Sequence, residues 1–469
     1  MASTPEEATK DMMADGQGGA AVLDQGTAPR AESGEGMHSH PVFGRTNLLL
    51  CAGLFIIALV SFFALQARFH IASLGVSDAP HFIYQAKSFL EGRWDLDLPY
   101  TMFDIVGING KNYIVYPPLP ALLLMPFVAI FGPNTSDILF TTILSALNLP
   151  LLYLLFEQVR ANGFTRRSSR DNLIIAVILF YGSINLWLSL GGRMWFTASI
   201  VGMTCTLGAL LLAFRRHFGW SALLLGCAFL CRPTAILGFP FLLYLAWQDA
   251  GLRHDLERFV TSLRTRTPDW TAIPWRRVAP PILVMSAILV LFLIRNTVVF
   301  GSPLETGYAI LIQQRYPWVK QGPFCPCYVP SNIVANFFTF PRITFSGPYG
   351  GAFDRHPSFD MLNTGVAVSV FFTTPLFLFL FWRNRKFSPM RIALWVTIAL
   401  VVASVLLFHA SGYRQFGARY LYEGYAYAFL LLALSDVRID WRFIALGVIA
   451  IGINLLGAYE FWTGKIFVL

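Results

Sequence analysis

An all-helical fold that crosses a membrane many times is what this sequence predicts, on three observations. Of the 469 residues, 55% are hydrophobic and only 13% are charged. The mean hydropathy is +0.57. The apolar residues, 42 Phe among them, gather in runs that approach the ~20 residues a spanning helix needs. A soluble core of this length has no use for such runs, so a soluble enzyme is ruled out.

The elements follow in order. Residues 1–41 carry seven acids against Lys10 and Arg30, a net −5 in a chain of net +9. No aromatic precedes Phe43. Such a segment buries too little to offset the entropy of ordering, and a disordered cytoplasmic tail is expected. The run 47–67 starts too far in for a secretory signal and lacks a small-residue cleavage site, so it reads as a retained first span. Further runs lie at about 137–157, 173–189, 195–214, 221–246, 279–298, 361–381, 391–409, 421–435 and 443–460. The run 119–131, after Tyr116-Pro117-Pro118, is shorter than a span and reads as interfacial. The run 221–246 is broken at Cys231-Arg232-Pro233-Thr234, where proline removes a helical hydrogen bond, and reads as a hairpin of two short helices.

With those two readings every strongly basic short loop falls on one side, from Arg160, Arg166, Arg167 and Arg170 through Arg215 and Arg216 to Arg438 and Arg442. Lysine and arginine are retained in the cytoplasm, which puts the amino terminus inside, the carboxyl terminus outside and roughly eleven spans between. The basic excess is therefore a topology signal, and no nucleic-acid partner is expected. Two long segments, 68–136 and 299–360, fall outside. Each holds an amphipathic candidate: Pro80 to Trp94, and Ser331 to Phe340, capped by Ser331 and closed by Pro341. Interfacial helices beside a loop-built cavity suit a protein that takes a lipid-linked ligand from the outer leaflet. Of the six cysteines, only Cys325 and Cys327 are expected to meet solvent. Spaced by one residue, they would bridge only with strain, and two thiols do not complete a zinc site.

The sharpest local signal is Ser77-Asp78-Ala79-Pro80-His81-Phe82, just after the first span. An acid there sits where a bilayer-bound substrate would arrive. Asp78 also fits an ordinary helix N-cap, and His81 an interfacial hydrogen-bonding residue.

This segment resembles the Asp-Glu-x-His-Phe/Tyr pattern of the GT-C glycosyltransferase superfamily, especially its branch of protein O-mannosyltransferase-like and lipid A aminoarabinose transferase-like enzymes. Leu90-Glu91-Gly92-Arg93-Trp94-Asp95-Leu96-Asp97-Leu98, Tyr116-Pro117-Pro118-Leu119-Pro120, Cys231-Arg232-Pro233-Thr234 and Arg419-Tyr420-Leu421 are similar to that superfamily too, in the expected order over most of residues 47–435. The resemblance implies a GT-C module of seven spans over 42–300 with a large first outer loop (68–136), a second large outer loop with an interfacial helix over 301–360, and C-terminal transmembrane helices over 361–469. It implies an inverting transfer of a sugar from a polyprenyl-phosphate donor to a hydroxyl of a lipid, polysaccharide or protein acceptor, with Asp78 as the catalytic residue. Position 79 is Ala where many relatives have Glu, so a contact made by that second acid is absent here or supplied from elsewhere.

The residue inventory fits such chemistry on its own terms. Phosphate leaves without protonation, so the reaction needs one base and cations for the departing charge. Asp78 can be the base. The candidate cations are Arg193, Arg232, Arg414, Arg419 and Arg295, and Arg414 and Arg419-Tyr420 share one short outer loop. Glu305 could contact a sugar or stabilise its own loop, and Asp95 and Asp97 read as solvated acids or partners of a base. A metal near Asp354, Arg355 and His356 would need more carboxylates than are at hand, and no cofactor or metal is expected. No P-loop or serine-nucleophile elbow occurs. The expectation is a glycosyltransferase of the bacterial cytoplasmic membrane, active on the extracytoplasmic face among membrane lipids. A lipid or lipid-linked-oligosaccharide transporter is the alternative, marked by a polar stripe running through to the cytoplasmic side. A non-catalytic scaffold would leave Asp78 as a helix cap.

Overall fold

The protein was analysed as a computed structural model that describes residues 42–100, 102–248, 269–346, 356–360, 368–381, 388–412, 415–465 and 467–468, with 258, 261, 262, 265 and 267 between. The expected disordered tail, 1–41, lies outside the described residues, as do Arg414, Asp354 and Arg355.

The chain opens with α1, Arg45–Arg68. Next come α2, His81–Leu90, a hairpin of β1, Ile105–Ile108, and β2, Lys111–Ile114, and then α3, Leu119–Phe131. The hairpin turns on Asn109-Gly110, both at positive φ, the pairing a two-residue turn demands. α4, Asp137–Ala161, leads to α5, Ser169–Tyr181, and the single turn α6, Asn185–Leu188. α7, Met194–Phe214, α8, Phe218–Phe229, a 3-10 turn at Pro233–Gly238 and α9, Phe239–Gln248, follow. The later elements are α10, Trp275–Phe300; α11, Tyr308–Arg315; α12, Val329–Ile333, which continues as a π-helical turn to Phe338; and α13, Val370–Thr373, with a 3-10 stretch at Pro375–Phe381. The last are α14, Pro389–Leu407, a 3-10 turn at Arg419–Gly424, α15, Tyr425–Ala433, and α16, Trp441–Thr463. A small antiparallel sheet pairs β3, Arg342–Ser346, with β4, His356–Asp360, and β4 with β5, Phe467–Val468.

Six helices, α1, α4, α7, α10, α14 and α16, are long and apolar enough to cross a membrane, and they mark an integral membrane protein. Each coincides with a run read from the sequence. The other four runs are interrupted: 173–189 breaks at Gly182, 221–246 at Cys231-Arg232, and 361–381 and 421–435 hold short helices joined to 3-10 turns. Within 221–246, Ser221 and Leu225 of α8 share a small void with Leu242 and Leu245 of α9, which places the end of α9 beside the start of α8.

Burial sorts the long helices. The apolar windows of α4 and α7 are 67% and 78% buried, so these two form the centre, whereas α1 at 22% turns Leu48, Leu49, Ile56, Ile57 and Val60 outward. In lipid no hydrophobic drive holds helices together, so close approach and polar pairs must do it. Both are present. Gly447 of α16 lies so near Ile178 of α5 that an added Cβ would stand 2.7 Å from its side chain. Along α4, Thr142 accepts from Gln66 of α1 at 2.9 Å, Thr141 pairs with Thr197 of α7 at 2.7 Å, Ser145 pairs with Ser189, and Asn148 accepts from Thr204 of α7 at 2.7 Å.

The amphipathic expectation for 80–94 corresponds to α2. The second candidate is corrected: its helix begins at Val329 with Tyr328 at the N-cap position and no side-chain cap, Ser331 lies inside it and donates to the Tyr328 carbonyl, and Asn332 donates to the Leu406 and Phe408 carbonyls at the end of α14. Cys325 and Cys327, expected to stay unbridged, form a disulfide.

Candidate functional site

Asp78 is not a helix cap. The N-cap position of α2 is Pro80, and no side chain caps it. Instead both Asp78 oxygens accept from Arg193, Nε to Oδ1 at 2.6 Å and Nη2 to Oδ2 at 2.7 Å. Arg193 directly precedes α7 and is delivered there by Gly191 and Gly192. A Cβ on Gly191 would overlap the Trp462 ring, and one on Gly192 the backbone of Asp137. The guanidinium lies over the Phe461 and Trp462 rings of α16, 5.3 and 5.1 Å from their centroids. Two more contacts fix the segment: Ser77 donates to Asp137 of α4 from its backbone at 2.8 Å and its hydroxyl at 2.6 Å, and the Ala79 carbonyl accepts from the Met194 amide at 3.1 Å. The side chain of Asp78 is nonetheless 65% exposed, so the carboxylate is held in place at the surface.

A second cluster gathers around Tyr420. Arg419 and Arg232, from segments nearly two hundred residues apart, lie 5.3 and 5.5 Å from the centroid of its ring. Both arginines are 7% exposed. Their charges are treated differently. Arg232 has Glu423, whose Oε1 is 2.6 Å from its Nε, and the pair borders a cavity of about 10 Å³, room for one water. Arg419 has no carboxylate partner among the described residues, and its Nε makes no hydrogen bond. It is surrounded by ring faces, with Trp195 and Phe196 centroids at 5.8 and 5.7 Å. A buried cation left this way is costly, and an anionic ligand would relieve it.

Asp104, just before β1, supplies a second carboxylate to this cluster, and the sequence reading did not single it out. Its backbone is left-handed, φ +53, which few residues other than Asn, Asp and Gly tolerate. Its Oδ2 accepts from the Trp195 indole N–H at 2.7 Å. Tyr116, Tyr308 and Tyr316 complete the wall, with Tyr116 and Tyr308 centroids 6.5 Å apart. Burial raises the phenol of Tyr316, and the Asp104 charge adds to it. Burial lowers His409, against the pull of the same carboxylate. His81, 1% exposed, donates from Nε2 to the Phe103 carbonyl at 2.7 Å, leaving Nδ1 without a partner. Its ring stands 6.3 Å from Trp195, so it braces the segment that carries Asp104.

Of the residues named from the sequence, Arg232, Arg419 and Tyr420 come together, and Asp78 takes Arg193 as its partner. Glu305 accepts from the Gly307 amide at 2.6 Å, a loop-closing contact. Arg295 donates to the Ile114 carbonyl at 3.1 Å and tethers β2 to α10. Asp95 meets Arg93 and Lys111, and Asp97 lies 3.9 Å from Lys87, so both belong to solvent-side ion pairs. Among the described residues no three of His, Cys, Asp and Glu gather as a metal site would require. The signal available for the missed Asp104 was Asn109-Gly110, which announces the hairpin that presents it.

Fold and site together define a helical membrane protein with an aromatic basin holding two buried arginines and two carboxylates, Glu423 paired with Arg232 and Asp104 beside Trp195. No family model, no curated protein and no solved structure matches the chain.

Proposed function

We propose that the protein is a membrane glycosyltransferase of GT-C type, which moves a sugar from a polyprenyl-phosphate donor to an acceptor hydroxyl with inversion. The observation that carries this reading is Arg419, a buried guanidinium with no carboxylate partner among the described residues, set among ring faces at the loop end of the bundle. A departing lipid phosphate supplies the anion it lacks, and the rings supply apolar walls for a sugar and the first units of a lipid tail. Asp78, held by Arg193, is the base that takes the acceptor proton, as the resemblance implies. That task is worth roughly 10² to 10⁴ in rate.

The interrupted runs count as further passes in this proposal and bring the total to about eleven. Support comes from the opposite end of the bundle, where Arg167 donates to the Ala433 and Ser435 carbonyls and Arg391 to that of Leu434. The basic loops thus converge there, which by the retention of lysine and arginine in the cytoplasm supports reading that end as cytoplasmic and the basin as extracytoplasmic. The transporter alternative asks for a polar stripe through the bundle. The polar residues along α4 pair with neighbouring helices, from Gln66–Thr142 to Thr204–Asn148, which favours helix-to-helix glue over a path.

The test is purified full-length protein in lipid nanodiscs with a panel of radiolabelled undecaprenyl-phosphate monosaccharides and an envelope lipid extract as acceptor. Release of undecaprenyl phosphate with label in a new product supports the transferase. Labelled donor carried intact across proteoliposomes, with no bond broken, overturns it.

A further inference from the structure

The transferase reading leaves one carboxylate of the basin without a task. Asp104 and Arg419 flank the same indole, the acid at its N–H edge and the guanidinium over its face, 5.8 Å from the ring centroid. No cation stands within ion-pairing distance of Asp104 among the described residues, in contrast to Asp78 with Arg193 and Glu423 with Arg232. The backbone at Asp104 is held left-handed by its surroundings: the Phe103 carbonyl is taken by His81, and the hairpin behind it is closed by Gln314, which accepts from the Gly107 amide at 3.1 Å and donates to its carbonyl at 2.7 Å. A carboxylate that meets the Trp195 indole and the Tyr316 phenol but no cation among the described residues, on a left-handed, braced backbone beside aromatic faces and near Arg419, matches the needs of a neutral polyhydroxylated ring that carries a phosphate. Carboxylate oxygens accept from vicinal hydroxyls, aromatic faces cover the C–H face, and the guanidinium takes the phosphate.

We propose that Asp104 is the specificity-determining residue for the transferred sugar, accepting hydrogen bonds from its hydroxyls while Arg419 binds the phosphate. This inference rests on the transferase reading and assigns the sugar and the phosphate to separate side chains. No bond is made or broken at Asp104, which selects and orients the ring.

The substitution that isolates the charge is Asp104→Asn. Asn tolerates a left-handed backbone and keeps an oxygen for the Trp195 N–H, so the loop is retained. Binding to full-length protein in nanodiscs is measured by Trp fluorescence, with undecaprenyl phosphate and its mannosyl, glucosyl, galactosyl and arabinosyl derivatives as probes. The wild type holds at least one glycosylated lipid more tightly than the bare one, and Asp104→Asn removes that preference, a loss of about tenfold or more, while affinity for undecaprenyl phosphate stays within about twofold. Arg419→Gln does the reverse and weakens every probe, bare lipid included. A wild type that prefers no glycosylated lipid, or an Asp104→Asn protein that keeps the preference or loses bare and glycosylated lipids equally, overturns the inference. Failure of the transferase reading is separate: turnover is then absent in the wild type whatever the binding pattern.

Discussion

Asp78 and Arg193 face each other side-on, two hydrogen bonds of 2.6 and 2.7 Å joining the loop after α1 to the start of α7. The guanidinium also rests on Phe461 and Trp462, so a single side chain ties three parts of the chain together. Arg193→Lys keeps the charge but loses the planar fork and the stacking. The expected cost is about 1 kcal/mol, since the pair is partly exposed, read as a fall in melting temperature of ~1 °C by intrinsic fluorescence in detergent. An unchanged melting temperature would mean that the clamp does not brace the fold.

Arg419 should behave as a binding residue rather than a structural one. Arg419→Met removes a buried charge that has no carboxylate partner among the described residues, so thermal stability is expected to stay level or rise slightly. Affinity for undecaprenyl phosphate should fall by about tenfold or more. A large loss of stability with unchanged binding would assign this guanidinium to the fold.

The turn before Arg193 has no room for side chains. Gly192→Ala places a methyl group against the backbone of Asp137, which cannot yield as a flexible side chain would, and should cost about 1–3 kcal/mol with a lower yield of folded protein. Gly53→Ala, in α1 with nothing within 4 Å of the new Cβ, is the control and should be neutral or mildly stabilising. Size-exclusion profiles of the two variants check this.

His409 gives the basin a pH dependence whose sign follows from its burial. Burial depresses its pKa in the folded state, with Asp104 opposing and not overcoming the shift. Above the unfolded value of about 6.5 the ring is neutral in both states and nothing is lost. As pH falls below that value the unfolded chain takes up a proton that the folded chain refuses, so stability declines until the folded pKa is passed. His409→Asn should flatten this decline between about pH 6.5 and 5 in melting curves; a slope equal to that of the wild type would remove His409 as its source.

The membrane class and the six long helices were legible because each needs only a local count of apolar residues. The run 195–214 became α7, Met194–Phe214, and 443–460 became α16, Trp441–Thr463. Even the break at Arg232 was readable, since proline acts on its own helix. Arg419, Tyr420 and Arg232 could be named as candidates from charge in an apolar setting. Their meeting around one ring could not, because it depends on how α8 and α15 pack. Asp104 was invisible for the same reason: Phe-Asp-Ile in a polar loop looks like any solvated acid until Trp195, 91 residues on, donates to it. The Ser331 cap failed because the helix gains its first turn from Pro326 and Val329.

The most direct measurement of the central claim is single-turnover transfer by the Asp78→Asn protein, full-length and in nanodiscs, beside the wild type. The account predicts that Asp78→Asn folds, binds undecaprenyl phosphate as well as the wild type, and transfers sugar at least about a hundredfold more slowly. Transfer at the wild-type rate would take the proton-accepting role from Asp78 and contradict the mechanism.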